Sequence, residues 1–392
     1  MTAQRDKKYI AAADLLRVVS VGLVAWFHFW QQNWIDPGFH IFGLWVDMAR
    51  IVRRGYMMVD LMLLLSGFLL YLPEARRAVR GQPWSDTGDY FLRRARRILP
   101  SYWFALFVAA VLCMLMGPLP GSPPLWKDLL THLTFTQTFT RPTYVWTNLN
   151  GVLWTLAVEV QFYLLFPLLG RLFRRFPVPT WAGMTVFALG CRYAVSQAAD
   201  PTMYFNQLPC MLDLYAFGML TAHLLARTEG AKRHWLYGLG SLAALWGILW
   251  ILWIQDPANG RELQILQIVW RLPLAVLGSI FLFCGGRWSR GLSRAVGNPA
   301  IRFLAGISYN FYIWHQYLAV RLKDWHIPPY TARELPQMTE GIAWQRRYDL
   351  CCWIAAFLAA ILTTYLLERP LSRLGGRSRR AANRLSGGNS HG

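Results

Sequence analysis

The chain has 392 residues, of which 55% are hydrophobic and 15% aromatic, while only 15% are charged, against about 25% in ordinary soluble domains. With a mean hydropathy of +0.27, this composition excludes a soluble or disordered class and places the chain in a membrane. A formal charge of +20 would suggest nucleic acid in a soluble protein. Here most Lys and Arg fall in short loops between apolar runs, so membrane topology accounts for them and no nucleic-acid partner is expected.

The first apolar run, Ala11–Trp30, is preceded by a basic start, but Arg17 interrupts it and no small-residue cleavage site follows. It reads as an uncleaved span rather than a signal peptide. Further spans are expected at Tyr56–Leu72, Ile98–Met116, Gly151–Phe173, Thr180–Gln197 and Pro209–Ala226. Four more follow at Trp235–Ile254, Leu263–Cys284, Ile301–Val320 and Tyr348–Leu367. The fold class is therefore all-α, a polytopic membrane protein of about ten transmembrane helices, each long enough to cross roughly 30 Å of hydrocarbon.

With the N-terminus inside, 26 of the 40 basic residues fall on one side and 11 on the other. The positive-inside rule makes both termini cytoplasmic. Residues 1–370 form one membrane domain, and 371–392 read as a basic, disordered cytoplasmic tail. The longest outer loops are then Gln31–Gly55, Gly117–Asn150 and Arg321–Arg347. Within the second, Trp126, Leu129, Leu130 and Leu133 recur at helical spacing, which suggests a short interfacial helix. The third holds Pro328, Pro329 and Pro336 and reads as irregular. The six cysteines form no CxxC and no Cys/His spacing suited to zinc, so they read as packing residues and no metal is expected.

Ionisable residues inside the spans carry the chemical signal. Arg17 and His28 are eleven residues apart, so at about 100° per residue they share one face of the first helix, separated by roughly 16 Å. A buried basic group costs on the order of 3 kcal/mol unless it faces a polar interior. His28 is the best base candidate, because its unperturbed pKa lies nearest neutrality. Glu159 could orient it or hold a proton. Asp60, Asp213, Arg192 and Arg271 read first as structural ion pairs and snorkelling groups. Before the third span, Phe91–Trp103 reads FLRRARRILPSYW, which is either a topology signal in contact with anionic lipid or a phosphate site.

These residues lie in stretches that resemble the membrane-bound acyltransferase 3 family, which acylates carbohydrates at cell surfaces. Asp14-Leu-Leu-Arg17, ten residues and then His28-Phe29 is similar to the family's Arg-x10-His signature. Asp60-Leu-Met-Leu-Leu-Leu-Ser66-Gly67-Phe68 is similar to its SGF motif, and Arg94-Ala-Arg96-Arg97-Ile98-Leu99-Pro100-Ser101-Tyr102-Trp103 to R-x-x-R-I-x-P-x-Y-W. Trp154–Glu159 followed by Phe162–Pro167, Ser308–His315 and Glu368-Arg369-Pro370 resemble its three later motifs. Met57, Met58 and Met62 depart from the family's usual choices, which bears on substrate fit.

The resemblance implies an O-acyltransferase with no bound cofactor, taking acyl-CoA, acetyl-CoA first, from the cytoplasm. Arg93, Arg94, Arg96, Arg97 and Tyr102 would bind the donor. His28, Arg17 and Glu159 would be catalytic, and Asp14, Asp60, Ser66, Tyr309 and His315 would line the substrate channel. The acceptor would be a surface glycan or lipid-linked sugar at a bacterial inner or plasma membrane, reached directly or through a separate extracytoplasmic partner. Direct transfer and an acyl-enzyme both fit, as do succinyl or longer groups. The competing class is a glycan or small-molecule exporter with the same polar core. A paired broken-helix repeat, which would favour it, is not visible, and the arginine loop has no evident transport role.

Overall fold

The computed structural model describes residues 9–198, 200–230, 234–255, 261–331 and 335–371, the side chains of 261–264 excepted. The expected basic tail lies, after Leu371, outside the described residues. Among the described residues, ten long helices lie where spans were expected: α1 (Ala11–Asn33), α2 (Met58–Val79), α3 (Thr87–Met116), α4 (Trp154–Arg175), α5 (Pro177–Ser196), α6 (Leu208–Arg227), α7 (Leu236–Ile254), α8 (Arg261–Gly285), α9 (Pro299–Asp324) and α10 (Gly341–Leu362).

Among the described residues, eight helices are long and apolar enough to cross a membrane, and α5 and α9 are not among those eight. Both have the length, about 30 and 39 Å at 1.5 Å per residue. Their composition is diluted by polar residues that face the protein. Arg192 on α5 and Asn310 and His315 on α9 are fully or nearly fully buried. The chain is an all-α, multi-pass membrane protein.

Local chemistry sets the helix ends. Asp86 caps α3 by accepting from the Asp89 amide at 2.7 Å, and Asn298 caps α9 by accepting from the Ile301 amide at 3.0 Å, with Pro299 at the first helical position. Prolines 73, 100, 167 and 273 lie inside α2, α3, α4 and α8, as membrane helices allow where neighbours satisfy the freed carbonyls.

A close helix crossing, backbone against backbone, joins α2 and α6. A Cβ at Gly67 would lie 2.5 Å from the Tyr215 carbonyl oxygen, and one at Gly218 only 2.1 Å from that of Leu64. Lipid supplies no hydrophobic drive between helices, so small residues that let backbones touch decide such contacts. The SGF stretch thus divides its work: Gly67 admits α6, Phe68 is fully buried, and Ser66 faces the interior. At the periphery α7 exposes Leu239, Leu242, Trp246, Trp250 and Trp253, a lipid-facing surface.

Shorter elements lie in the loops. Leu125–Leu133 is helical and exposes Trp126, Leu130 and Leu133 while burying Asp128 and His132, in keeping with the expected interfacial helix. The third loop holds a short helix, Pro336–Thr339. In the first loop the sequence suggested no regular structure, yet β1 (Gly38–Ile41) and β2 (Leu44–Asp47) form an antiparallel hairpin. Beyond α10 the backbone widens into a π-helical turn, Thr363–Glu368. There Asn310 of α9 donates to Thr364 Oγ1 at 2.8 Å and Glu368 Oε2 at 2.7 Å, so the closing motif ties α9 to the end of α10.

Candidate active site

Helices α1, α2, α3, α4 and α9 enclose a cavity of about 110 Å³. Arg17, Ser66, Arg94, Arg97, Glu159 and Tyr309 line it together with Met62, Tyr163, Thr155 and Tyr312. Three guanidinium groups face one carboxylate, so the cavity carries an excess of positive charge suited to an anion. Glu159 Oε1 accepts a hydrogen bond from Ser66 Oγ at 2.5 Å and a second from the Tyr163 hydroxyl. Tyr163 is one turn beyond Glu159 on the same helix face, and the Arg94 guanidinium sits 5.7 Å over its ring. The charge neighbours of Arg17 are Arg97, Asp14, Glu159 and Tyr163.

About 16 Å further along α1 from Arg17 is a second cluster, built on His28 and His315. His28 Nδ1 lies 2.8 Å from His315 Nε2, and His315 Nδ1 lies 2.7 Å from the Tyr312 carbonyl oxygen. A carbonyl only accepts, so the Nδ1 of His315 carries its proton. In the neutral ring its Nε2 is then an acceptor, which makes His28 Nδ1 the donor of the pair. His28 is left with an unprotonated Nε2. His315 is fully buried, packed by Phe29 and Phe311, whereas His28 keeps some access. Tyr312 joins the clusters: its carbonyl holds His315, while its side chain lines the cavity and accepts from Thr155 Oγ1 at 2.9 Å.

Several expected placements differ. Glu159 does not reach His28, because its hydrogen bonds go to Ser66 and Tyr163; the residue that orients His28 is His315. Tyr102 is buried away from the cavity, its hydroxyl donating to the His132 carbonyl at 2.8 Å and its ring stacked on Phe135. At about 100° per residue Tyr102 is roughly 140° round α3 from Arg97, which explains the separation. Asp60 faces α8, where Arg271 Nε donates to its Oδ2 at 3.1 Å, and the same guanidinium reaches the Phe205 carbonyl at 2.7 Å. Arg192 pairs with Asp213 at 2.5 Å, fully buried. These two ion pairs are the structural contacts first expected of them. Arg93, Arg96 and Asp14 do not line the cavity.

Three contributors carry no role in the sequence reading. Tyr163 could have been found from its four-residue spacing to Glu159, and Tyr312 from its three-residue spacing to His315. Thr155 enters only through the packing of α4 against α9.

Fold and site together define a membrane-embedded helical bundle with a cationic pocket and, roughly 16 Å along α1 from Arg17, a hydrogen-bonded histidine pair. The chain belongs to the acyltransferase 3 family: the family model described as "Acyltransferase domain" matches residues 10–369. It is 26% identical over 323 residues to nodulation protein 10 of Rhizobium leguminosarum bv. viciae, covering 77% of this chain and 81% of that one. It is 25% identical over 282 residues to a protein of Acidianus two-tailed virus named "Putative acetyltransferase ORF330", covering 71% and 77%. A Staphylococcus aureus (strain COL) protein named "Putative O-acetyltransferase" is 22% identical over 342 residues, 80% of this chain and 51% of its own length. No solved structure matches. The protein is a multi-pass membrane acyltransferase.

Proposed function

We propose that the protein transfers an acyl group, acetyl in the first instance, from acyl-CoA at the arginine-rich end of the bundle to a carbohydrate hydroxyl arriving from the opposite end. The observation that carries this reading is the chain of contacts from His28 Nδ1 to His315 Nε2 and from His315 Nδ1 to the Tyr312 carbonyl, which in the neutral rings leaves His28 Nε2 free to accept a proton. Arg94 and Arg97 hold the donor's phosphates at the cavity mouth, a task for which multidentate guanidinium groups are suited. The cavity is too narrow for the nucleotide, so only the acyl-bearing arm passes Arg17 towards His28. His28 Nε2 takes the proton of the acceptor hydroxyl as its oxygen attacks the thioester carbonyl. The carbon–sulfur bond then breaks, and the imidazolium returns the proton to the departing thiolate, giving an ester and free CoA. His315 keeps the imidazole in the required tautomer, as the buried partner of a catalytic histidine does elsewhere. Glu159, fixed by Ser66 and Tyr163, balances Arg17 and positions it beside the arm. Met62 on the cavity wall limits the acyl group to a small one.

The physical logic is one of compartments. The activated donor exists in the cytoplasm and the glycan outside it, so a polar path through the bilayer must join them. The test is transfer of label from radiolabelled acetyl-CoA to an added glycan by the purified protein in nanodiscs. Label on the glycan, with equimolar CoA release, supports the reading. Glycan movement across sealed vesicles without CoA consumption would replace it with the exporter.

A further inference from the structure

The hairpin between α1 and α2 is a ribbon exposed on both faces, one wholly apolar and the other mixed, where Trp45, 57% exposed, stands beside His40 and Asp47. Its register pairs Phe39 with Val46 and Ile41 with Leu44 on one side, and Gly38 with Asp47 and His40 with Trp45 on the other. The first face is wholly apolar, with Phe39 41%, Ile41 44% and Leu44 73% exposed. The second carries the polar groups, with the His40 and Trp45 rings in contact at 4.9 Å. At the tip, Phe42 (φ 48°) and Gly43 (φ 81°) both adopt the left-handed region of a type I′ turn, where Asn-Gly is the favoured pair. A bulky residue is strained there, yet Phe42 is fully exposed and makes no packing contact in return.

The base of the hairpin, in contrast, is fixed. Arg53 forks onto Asp36 at 2.5 and 2.6 Å and lies over Trp30, and Arg50 lies 4.9 Å over Trp253 of α7. Only four residues separate Asn33, the end of α1, from Gly38, so the hairpin starts within about 18 Å of the end of a membrane span.

We infer that the hairpin Gly38–Asp47 is an interfacial anchor, its apolar face and Phe42 inserted at the headgroup–acyl boundary of the bilayer leaflet at this end. Three observations select a lipid surface as the occupant. The segment that follows the hairpin is tied to the lipid-facing aromatic surface of α7, where Arg50 lies over Trp253. Both outer edges of a two-stranded sheet keep unpaired backbone groups, which forbid the hydrocarbon core but are satisfied at a hydrated interface. The loop joining α3 to α4, at the same end of an alternating bundle, exposes the apolar stripe Trp126, Leu130 and Leu133, so two separate elements expose apolar residues at one end of the bundle. Such a face, with polar groups opposite, is the pattern of an in-plane membrane element. The inference rests on the membrane fold and not on acyl transfer.

The experiment places an environment-sensitive NBD label at Phe42→Cys, Leu44→Cys and His40→Cys of the full chain in nanodiscs, subtracting signal from identically treated wild type. Lipids carrying nitroxides at the headgroup, shallow acyl or deep acyl position serve as quenchers. The expected result is blue-shifted emission at 42 and 44, with headgroup and shallow nitroxides quenching them at least about twofold more than position 40. Hydroxyl-radical footprinting of the unlabelled wild type gives an independent reading: Phe42 and Leu44 protected in nanodiscs relative to amphipol, His40 equally reactive in both. Water-like emission at all three positions, or no protection in lipid, would overturn the inference. So would a shift that appears only after adding an envelope protein extract, which would assign the face to a protein partner.

Discussion

Glu159 and Ser66, 93 residues apart in the chain, meet at 2.5 Å, and the same carboxylate oxygen takes the Tyr163 hydroxyl. This commits Glu159 to the arginine end of the site and leaves His28 to His315. Removing the carboxylate strands two hydroxyl donors and unbalances Arg17. Glu159→Ala should therefore lower stability by about 3 kcal/mol, as breaking a buried charged contact does. Glu159→Gln, whose amide oxygen still accepts from both hydroxyls, should recover more than half of that loss. Thermal unfolding in a single detergent compares the three proteins.

In the proposed mechanism His315 acts through His28. His315→Ala removes the acceptor that fixes the His28 tautomer, so kcat should fall about 10- to 100-fold, the usual loss for the partner of a functional histidine. The KM for acyl-CoA should not change. His315→Gln can place an amide oxygen near His28 Nδ1 and should be several-fold more active than the alanine variant. Steady-state kinetics on the two variants separates this orienting role from a purely structural one, for which both would lose folding and activity alike.

Arg94 and Arg97 line the cavity and Arg93 does not. Alanine at either lining position should raise the KM for acyl-CoA about tenfold, a charge-assisted contact being worth about 1.5–3 kcal/mol. Arg93→Ala should change it less than about threefold, as an exposed charge screened by salt does. Donor titrations at two ionic strengths measure both.

The α2–α6 crossing gives a prediction about stability alone. Gly218→Ala puts a methyl against the Leu64 carbonyl, and Gly67→Ala puts one against that of Tyr215. Neither backbone atom can swing aside as a side chain would, so each substitution should cost about 1–3 kcal/mol of overpacking. Because Gly67 adjoins Ser66, its variant should also lower kcat, whereas Gly218→Ala should spare it in the folded fraction. Unfolding curves and activity per folded molecule test the pair.

The long helices were legible because length and hydropathy are properties of a segment by itself. Most ends moved by a turn or so, but α3 starts at Thr87 rather than Ile98, α2 runs on to Val79 rather than Leu72, and α10 starts at Gly341 rather than Tyr348, where polar turns extend the helix beyond the apolar run. The height of each buried polar residue was legible for the same reason: Arg17 low and His28 high on one helix face follow from spacing. What spacing within one helix cannot give is which helix stands next to it. Glu159 and His315 both lay within reach of His28 by depth, and only the packing of α9 against α1 decides between them. Tyr102 was misplaced although the 140° offset from Arg97 was available from the sequence, because the motif's wording outweighed its geometry. The hairpin was missed because its turn, Phe-Gly, departs from the Asn-Gly that marks such turns in water.

The most direct test of the central claim is the initial rate of CoA release at saturating acetyl-CoA in nanodiscs, with acceptor glycan present, for wild type and His28→Ala. Both proteins should bind acetyl-CoA with equal affinity, while His28→Ala loses at least about 100-fold in rate, the share of a general base. Release by His28→Ala at the wild-type rate would contradict that claim and remove His28 from the chemistry.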